Sequence, residues 1–171
     1  MCVGFAVGKE VKVGVVHNPV LGETYTAVRG RGAFLNGEPI RVSGEATLSR
    51  ALCGTELGVG RDEETVEAVM DRIRRISQAT RSLRCGGSCA MGLCGVARGR
   101  LDLFYEIGFG GPWDVAAASV ILEEAGGRVL DPEGGAFSVV SRRVLGTNGS
   151  LGSAAAAVLA GARKSSREPA A

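Results

Sequence analysis

A glycine-rich run that ends in proline, tryptophan and aspartate constrains the fold of this chain more than any other segment. Residues 108–114 read Gly-Phe-Gly-Gly-Pro-Trp-Asp, and a stretch of mostly small apolar side chains follows as far as Ala125. Glycine lets the backbone turn sharply, and proline suits the first helical position because its missing N–H would be unpaired there. The pattern therefore predicts a turn that opens a helix, which packs closely on a sheet and ends at Gly126-Gly127.

Asp114 falls in the first turn of this predicted helix, and two interpretations of it remain open. The positive end of the helix dipole favours a carboxylate at that position, so an ordinary first-turn acid explains the residue. The functional interpretation makes Asp114 a carboxylate held at the edge of a cleft. From the residue alone, the ordinary interpretation is favoured.

The rest of the chain predicts a layered α/β (α+β) fold. Strand patterns and a tight Asn36-Gly37 turn dominate the beginning of the chain, with strands predicted over 1–7, 10–16, 23–28 and 40–42. From residue 43 onwards, strand and helix signals alternate. We therefore predict an antiparallel sheet from 1–42, a second sheet flanked by helices from 43–162, and a disordered tail from 163–171.

Composition argues against several classes of function. A net charge of +2 is too small to indicate binding to nucleic acid or to an anionic membrane, and no apolar run approaches the ~20 residues that span a bilayer. The five cysteines lack the paired Cys-x-x-Cys spacing of a zinc site, which favours reduced thiols in the cytoplasm or the plastid stroma.

Three segments together resemble the C-terminal motif of the inositol monophosphatase family. They are Tyr105-Glu106, Pro112 to Ala118, and Glu124 to Gly127. The run 107–112 is most similar to the plant and algal branch, which acts on inositol phosphates and on L-galactose 1-phosphate. The resemblance implies an αβαβα sandwich whose N-terminal part is missing, and a Mg²⁺-dependent phosphomonoesterase whose substrate is a small phosphorylated polyol or sugar. It also implies a homodimer.

The same resemblance assigns roles to residues of this chain. Asp114 matches a metal ligand that also contacts substrate, and Glu106 matches a residue that binds a substrate hydroxyl. The stretch Gly87-Ser88-Cys89 matches a segment that contacts the polyol ring, although cysteine replaces the alanine that is common there. The residues themselves leave other interpretations open, because a strand-end acid such as Glu106 is usually exposed to solvent. The glycine-rich helix start at Gly87 can receive an anion or be capped by Ser88.

The remaining metal ligands of the family are not found in this sequence. Family members carry a Gly-Glu-Glu stretch and an Asp-Pro-Ile-Asp-Gly-Thr stretch upstream, and neither occurs here. No catalytic residue is therefore predicted, and we expect a truncated chain that is inactive alone. The alternative is a short non-catalytic product that acts as an interaction or dimerisation module. A Ser-His-Asp hydrolase is a remote third option, because His17 has no nucleophile elbow to serve.

Overall fold

The first sheet of the computed structural model, which describes residues 1–170, is antiparallel throughout. Its strands, in spatial and sequence order, are β1 (Cys2–Val7), β2 (Glu10–Asn18), β3 (Glu23–Val28), β4 (Ala33–Leu35) and β5 (Glu38–Pro39). Val16 on β2 and the alternating residues Tyr25 and Ala27 on β3 are buried in the core. Gly14 lets the neighbouring layer approach closely, since a Cβ there would lie 2.3 Å from the carbonyl oxygen of Ala117.

The second sheet is mixed. Its strands are β6 (Leu52–Thr55), β7 (Ser82–Arg84), β8 (Leu103–Ile107), β9 (Arg128–Leu130) and β10 (Arg143–Thr147), in the spatial order β7-β6-β8-β10-β9. Strand β6 pairs in parallel with β7 and β8, whereas β10 pairs antiparallel with β8 and β9. The central strand β8 is buried along most of its length, as expected for a strand covered on both faces.

Four α-helices complete the layers: α1 (Glu63–Ala79), α2 (Cys89–Ala97), α3 (Ala116–Glu124) and α4 (Gly152–Ala160). Helices α2 and α3 lie between the two sheets, and α1 and α4 pack together on the other face of the second sheet. The predicted α/β organisation is confirmed as a sheet, helices, sheet, helices arrangement. Within residues 1–170, no helix covers the outer face of the first sheet, where the family resemblance places a further layer.

Strand β1 forms one edge of the first sheet, and all six of its residues are exposed. Val3, Phe5 and Val7 are large apolar side chains on this strand, and Phe5 is 59% exposed. The strand carries no charged residue, although natural edge strands often use charges to prevent pairing with other chains.

The short strand expected at 40–42 lies earlier than predicted. Asn36 and Gly37 both adopt positive φ values, of 52° and 87°, which closes a two-residue turn and places Glu38 directly opposite Leu35. The strand is therefore Glu38–Pro39. Residues 40–42 leave the sheet, and the N–H of Val42 donates to the carbonyl of Ala125 at 3.1 Å.

The C-terminal segment also differs from the prediction of a disordered tail. Its charged side chains find partners on the second sheet and its helices: Arg72 on α1 donates to Glu168 at 2.7 Å, and both side chains are buried. The carbonyl of Arg163 accepts a further bond from Arg72, and Ser165 is buried. Composition predicted disorder because it does not reveal contacts with residues far along the chain. Residue 171, which the predicted tail included, lies outside the described residues.

Two findings bear on the remaining sequence predictions. None of the helices in the described residues is long and apolar enough to cross a membrane. The five cysteines are all free thiols: Cys2 and Cys85 are exposed, whereas Cys53, Cys89 and Cys94 are buried.

Candidate active site

A polar cleft of about 430 Å³ opens where β6 and β8 end and α2 and α3 begin. All five residues predicted to bind substrate line it, namely Gly87, Ser88, Cys89, Glu106 and Asp114. Glu56, Arg61 and the backbone around Gly110 complete the polar part of the wall. A neighbouring cavity of about 550 Å³ is mostly apolar and shares Glu56 and Ser88 as a partition. We take the polar cleft as the candidate site because its titratable groups converge.

Asp114 ends a 3₁₀ turn, Pro112–Asp114, that precedes α3 rather than forming its first turn as predicted. Its Oδ2 accepts a hydrogen bond from the N–H of Gly111 at 3.2 Å, which fixes the carboxylate against the turn. Gly110 must be small, because a Cβ there would lie 2.9 Å from the same oxygen. The local sequence thus aims the carboxylate into the cleft.

Two further residues define this turn. Arg142 has a positive φ of 58°, and its Nε donates to the carbonyl of Phe109 at 2.5 Å. Its own carbonyl accepts the N–H of Gly108 at 2.9 Å, so Arg142 holds the beginning of the glycine run through both its side chain and its backbone. Trp113 is 68% exposed, and its ring lies over Gly111, where a Cβ would come within 2.6 Å of it. Sequence reasoning did not identify Arg142, since nothing in the residues 138–144 signals a contact with a distant loop.

Glu106 is buried near the end of β8, in contrast to the solvent-exposed acid that the sequence alone favoured. It is 5% exposed, and its Oε2 is buried without a hydrogen-bond partner. Burial raises the pKa of Glu106 to about 7, opposed by a hydrogen bond from the Cys89 thiol and reinforced by the carboxylates of Glu56 and Asp114. A buried acceptor with no partner of its own is suited to receive a hydrogen bond from a ligand.

This burial predicts a pH-dependent stability. Glu106 binds its proton more tightly in the folded chain (pKa about 7) than in the unfolded chain (4.5). The unfolded state therefore loses its proton first as the pH rises, and the free energy of unfolding should fall by about 3 kcal/mol between pH 4.5 and pH 7. Urea denaturation of the wild type and of Glu106→Gln at pH 5, 6, 7 and 8 measures this. Glu106→Gln should lack this fall in the free energy of unfolding. An equal pH dependence of unfolding in the two proteins would contradict the raised pKa of Glu106.

The Gly86-Gly87-Ser88 loop satisfies both interpretations left open by the sequence. Ser88 caps α2, because its Oγ accepts the N–H of Met91 at 3.3 Å. Glu56 then supplies the anion, since its Oε1 accepts the N–H groups of Gly86 and Gly87 at 2.8 and 2.7 Å. Sequence reasoning assigned no role to Glu56. The signal that could have found it is the pair of free glycine N–H groups, which require an acceptor.

Cys89 lies beside this loop at the first position of α2. Burial, together with the nearby Glu106 carboxyl, raises the pKa of the Cys89 thiol well above its ordinary value. The thiol is therefore neutral at physiological pH and acts as a small buried donor rather than as a nucleophile or a metal ligand.

The carboxylates of this cleft do not by themselves fit a magnesium site. Mg²⁺ requires several oxygen ligands in octahedral geometry, and residues 1–170 contain no group of three His, Cys, Asp or Glu side chains arranged to hold a metal. Glu56 already accepts hydrogen bonds from backbone N–H groups, and burial raises the pKa of Glu106 to about 7, which weakens it as a charged ligand at neutral pH. Only Asp114 remains as a candidate ligand in this part of the chain.

Comparison with known proteins identifies related sequences over nearly the whole chain. Residues 1–168 match the profile of the inositol monophosphatase family. The chain is 57% identical over 149 residues to inositol monophosphatase 2 of Solanum lycopersicum, covering 87% of this chain and 56% of the relative. It is 42% identical over 147 residues to inositol monophosphatase 1 of Homo sapiens, covering 85% of this chain and 53% of that protein.

A solved structure is also similar. The inositol monophosphatase from Anabaena (Nostoc) sp. PCC 7120 matches with a TM-score of 0.86 and 32% identity, over 92% of this chain and 63% of that one. The chain thus spans about half the length of the curated relatives it matches.

Proposed function

Because this chain belongs to the inositol monophosphatase family, we propose that its cleft is the polyol-binding part of an active site that hydrolyses phosphomonoesters of inositol or a related sugar. The observation that carries the proposal is the convergence of Asp114, Glu106 and the Gly87-Ser88 loop on one cleft. The two tomato relatives are inositol monophosphatases, which supports the substrate class.

Each group has a role that follows from its surroundings. The buried Oε2 of Glu106 lacks a partner, so it accepts a hydrogen bond from a substrate hydroxyl. The loop at Gly87-Ser88 forms part of the same wall and limits where a polyol ring can lie. Asp114 contributes one ligand to a Mg²⁺ site whose other carboxylates come from outside residues 1–170, because this cleft supplies too few of them.

The test uses this chain joined to the N-terminal half of a plant relative such as the tomato protein. We expect Glu106→Gln to raise the KM for inositol 1-phosphate about tenfold, because one hydrogen bond to a charged or buried partner contributes ~1.4 kcal/mol or more. The KM for p-nitrophenyl phosphate, which has no polyol, should stay within about twofold. If both substrates are affected equally, Glu106 does not recognise the polyol. If neither is hydrolysed by the joined wild-type protein, the proposed activity is wrong.

A second candidate function, an interaction module without catalysis, is favoured by one observation. Strand β1 presents Val3, Phe5 and Val7 to solvent along an unpaired edge. A free edge of this kind pairs readily with a further strand. Phosphate release by the joined protein, together with light scattering of the isolated chain, separates the two candidates. A dimeric chain whose joined form hydrolyses no phosphomonoester supports the module, whereas hydrolysis by the joined protein supports the phosphatase whether or not the chain is a dimer.

A further inference from the structure

One carboxylate of this chain occupies the position where an external anion would bind. The Oε1 atom of Glu56, directly after β6, accepts the N–H groups of Gly86, Gly87 and Ser88 at 2.8, 2.7 and 3.3 Å. These three donors are consecutive, and they stand at the beginning of α2. The start of a helix with converging N–H groups binds phosphate and carboxylate in many proteins.

The backbone geometry of this loop explains why the donors converge. Gly87 has a φ of 84°, in the left-handed region that other residues rarely adopt, so the loop curves around the oxygen. Nothing within 4 Å would obstruct a Cβ at Gly87, and the glycine therefore serves the backbone conformation rather than the packing. The hydroxyl of Ser88 caps α2 by accepting the N–H of Met91 and does not bind the Gly86–Ser88 N–H groups. The concave surface that these three N–H groups form is therefore occupied by Glu56 alone.

The second observation is the unpartnered oxygen of Glu106 in the same cleft. Glu106 is more than nine-tenths buried and its Oε2 has no hydrogen-bond partner, so this oxygen is suited to a hydroxyl group of a ligand, which can both donate and accept. The other charged group in this wall is Arg61, and its guanidinium donates to the carbonyls of Gly58 and Gly60 in its own loop. A phosphate placed between Glu56 and Glu106 would therefore meet two acidic groups and no free N–H group of the Gly86–Ser88 loop.

We propose that Glu56 is a positioning residue that sets the direction in which a substrate lies in this cleft. By filling the anion-binding concavity of α2, its carboxylate keeps phosphate away from the Gly86–Ser88 wall and leaves that wall to hydroxyl groups. The phosphate group is then directed to the Asp114 side. This inference rests on the proposed function, in that the ligand is a phosphorylated polyol.

Inorganic phosphate tests the inference on the full chain without any catalysis. In ¹H–¹⁵N NMR spectra, the amides of Gly86, Gly87 and Ser88 in the wild type should show no saturable shift with phosphate. In Glu56→Ala the freed donors should give a saturable shift with a Kd on the order of 10 mM or tighter. Glu56→Ser, whose short side chain also removes the acceptor from the loop, should respond in the same direction and serves if the alanine variant does not fold.

Glu45→Gln is the matched control. The Oε1 of Glu45 also accepts two backbone N–H groups, those of Ala46 and Thr47 at 3.0 and 2.9 Å, but it lies outside the cleft. It should leave the response of the Gly86–Ser88 amides to phosphate unchanged. Wild-type amides that already bind phosphate, or Glu56 variants that do not, would overturn the inference. Neither of these NMR results depends on hydrolysis by the joined protein. The role of Glu56 can therefore fail while the proposed phosphatase function holds, and the reverse is also true.

Discussion

The isolated chain is expected to release almost no phosphate from inositol 1-phosphate or L-galactose 1-phosphate, with or without Mg²⁺. Its cleft contains three carboxyl groups. Glu56 is hydrogen-bonded to backbone N–H groups, burial raises the pKa of Glu106 to about 7, and Asp114 is the remaining carboxylate. Groups that act together in catalysis fail together, so a partial set gives far less than a proportional share of the rate. The measurement is phosphate release by the chain alone, at several Mg²⁺ concentrations.

The same chain joined to an N-terminal half that carries the missing acids should become active, and Asp114→Asn should then lower kcat about a thousandfold. Loss of a charged ligand removes several kcal/mol of transition-state stabilisation, and each ~1.4 kcal/mol is tenfold in rate. Asp71→Asn is the control, because Asp71 lies on α1 outside the cleft, where it pairs with Arg74 and Arg75 and accepts the N–H of Arg163. Robust Mg²⁺-dependent turnover by the isolated chain, or full activity of the joined Asp114→Asn protein, would show that the chemistry lies elsewhere.

The largest expected effect on stability comes from Arg143, on β10. Its guanidinium binds Asp131 through two hydrogen bonds of 2.7 and 3.1 Å, and the side chains are 4% and 6% exposed. Arg143→Met should lower the free energy of unfolding by about 3–5 kcal/mol, because it leaves a buried carboxylate without its counter-charge. Urea denaturation followed by circular dichroism at pH 7 gives this value.

The pH dependence of this loss identifies its origin. Burial alone would raise the pKa of Asp131, but hydrogen bonds from Arg143 and from the N–H of Glu133 hold it below its ordinary value of 3.8. The wild type therefore loses this stabilisation as the pH falls below about 4, and the difference between wild type and variant should narrow there. Arg163→Met is the control: the pair of Arg163 with Glu67 is more than half exposed and should cost at most ~1 kcal/mol. Equal losses in the two variants would contradict the assignment.

The parts of the fold that sequence predicts well depend on local chemistry. Helix α1 begins directly after Asp62, the first of three consecutive acids typical of a helix start, because the Asp62 side chain caps it by accepting the N–H of Thr65 at 3.1 Å. Strand β3 has the predicted bounds, 23–28, because its alternation and flanking turns lie within a few residues. Such signals need no knowledge of distant contacts.

The parts that sequence misses depend on partners far along the chain. Glu56 is 30 or more residues from the loop it orders, and Glu168 is 96 residues from Arg72. The sequence around Glu56 and the sequence around Glu168 do not differ from the surroundings of an ordinary solvent-exposed acid. The burial of Glu106 is of the same kind, since only the packing of α2 on β8 removes it from solvent. The roles of the five predicted site residues remain predictions.

The exposed position of Trp113 has a practical consequence for studying this cleft. It is the only tryptophan of the chain, and it precedes Asp114 in the same three-residue turn. Its indole emission is therefore a built-in optical reporter: any ligand that moves the turn or shields the ring changes the spectrum, and no label is required. The same signal separates local occupancy of the cleft from global unfolding, because the ring is already in water and shifts little when the chain unfolds.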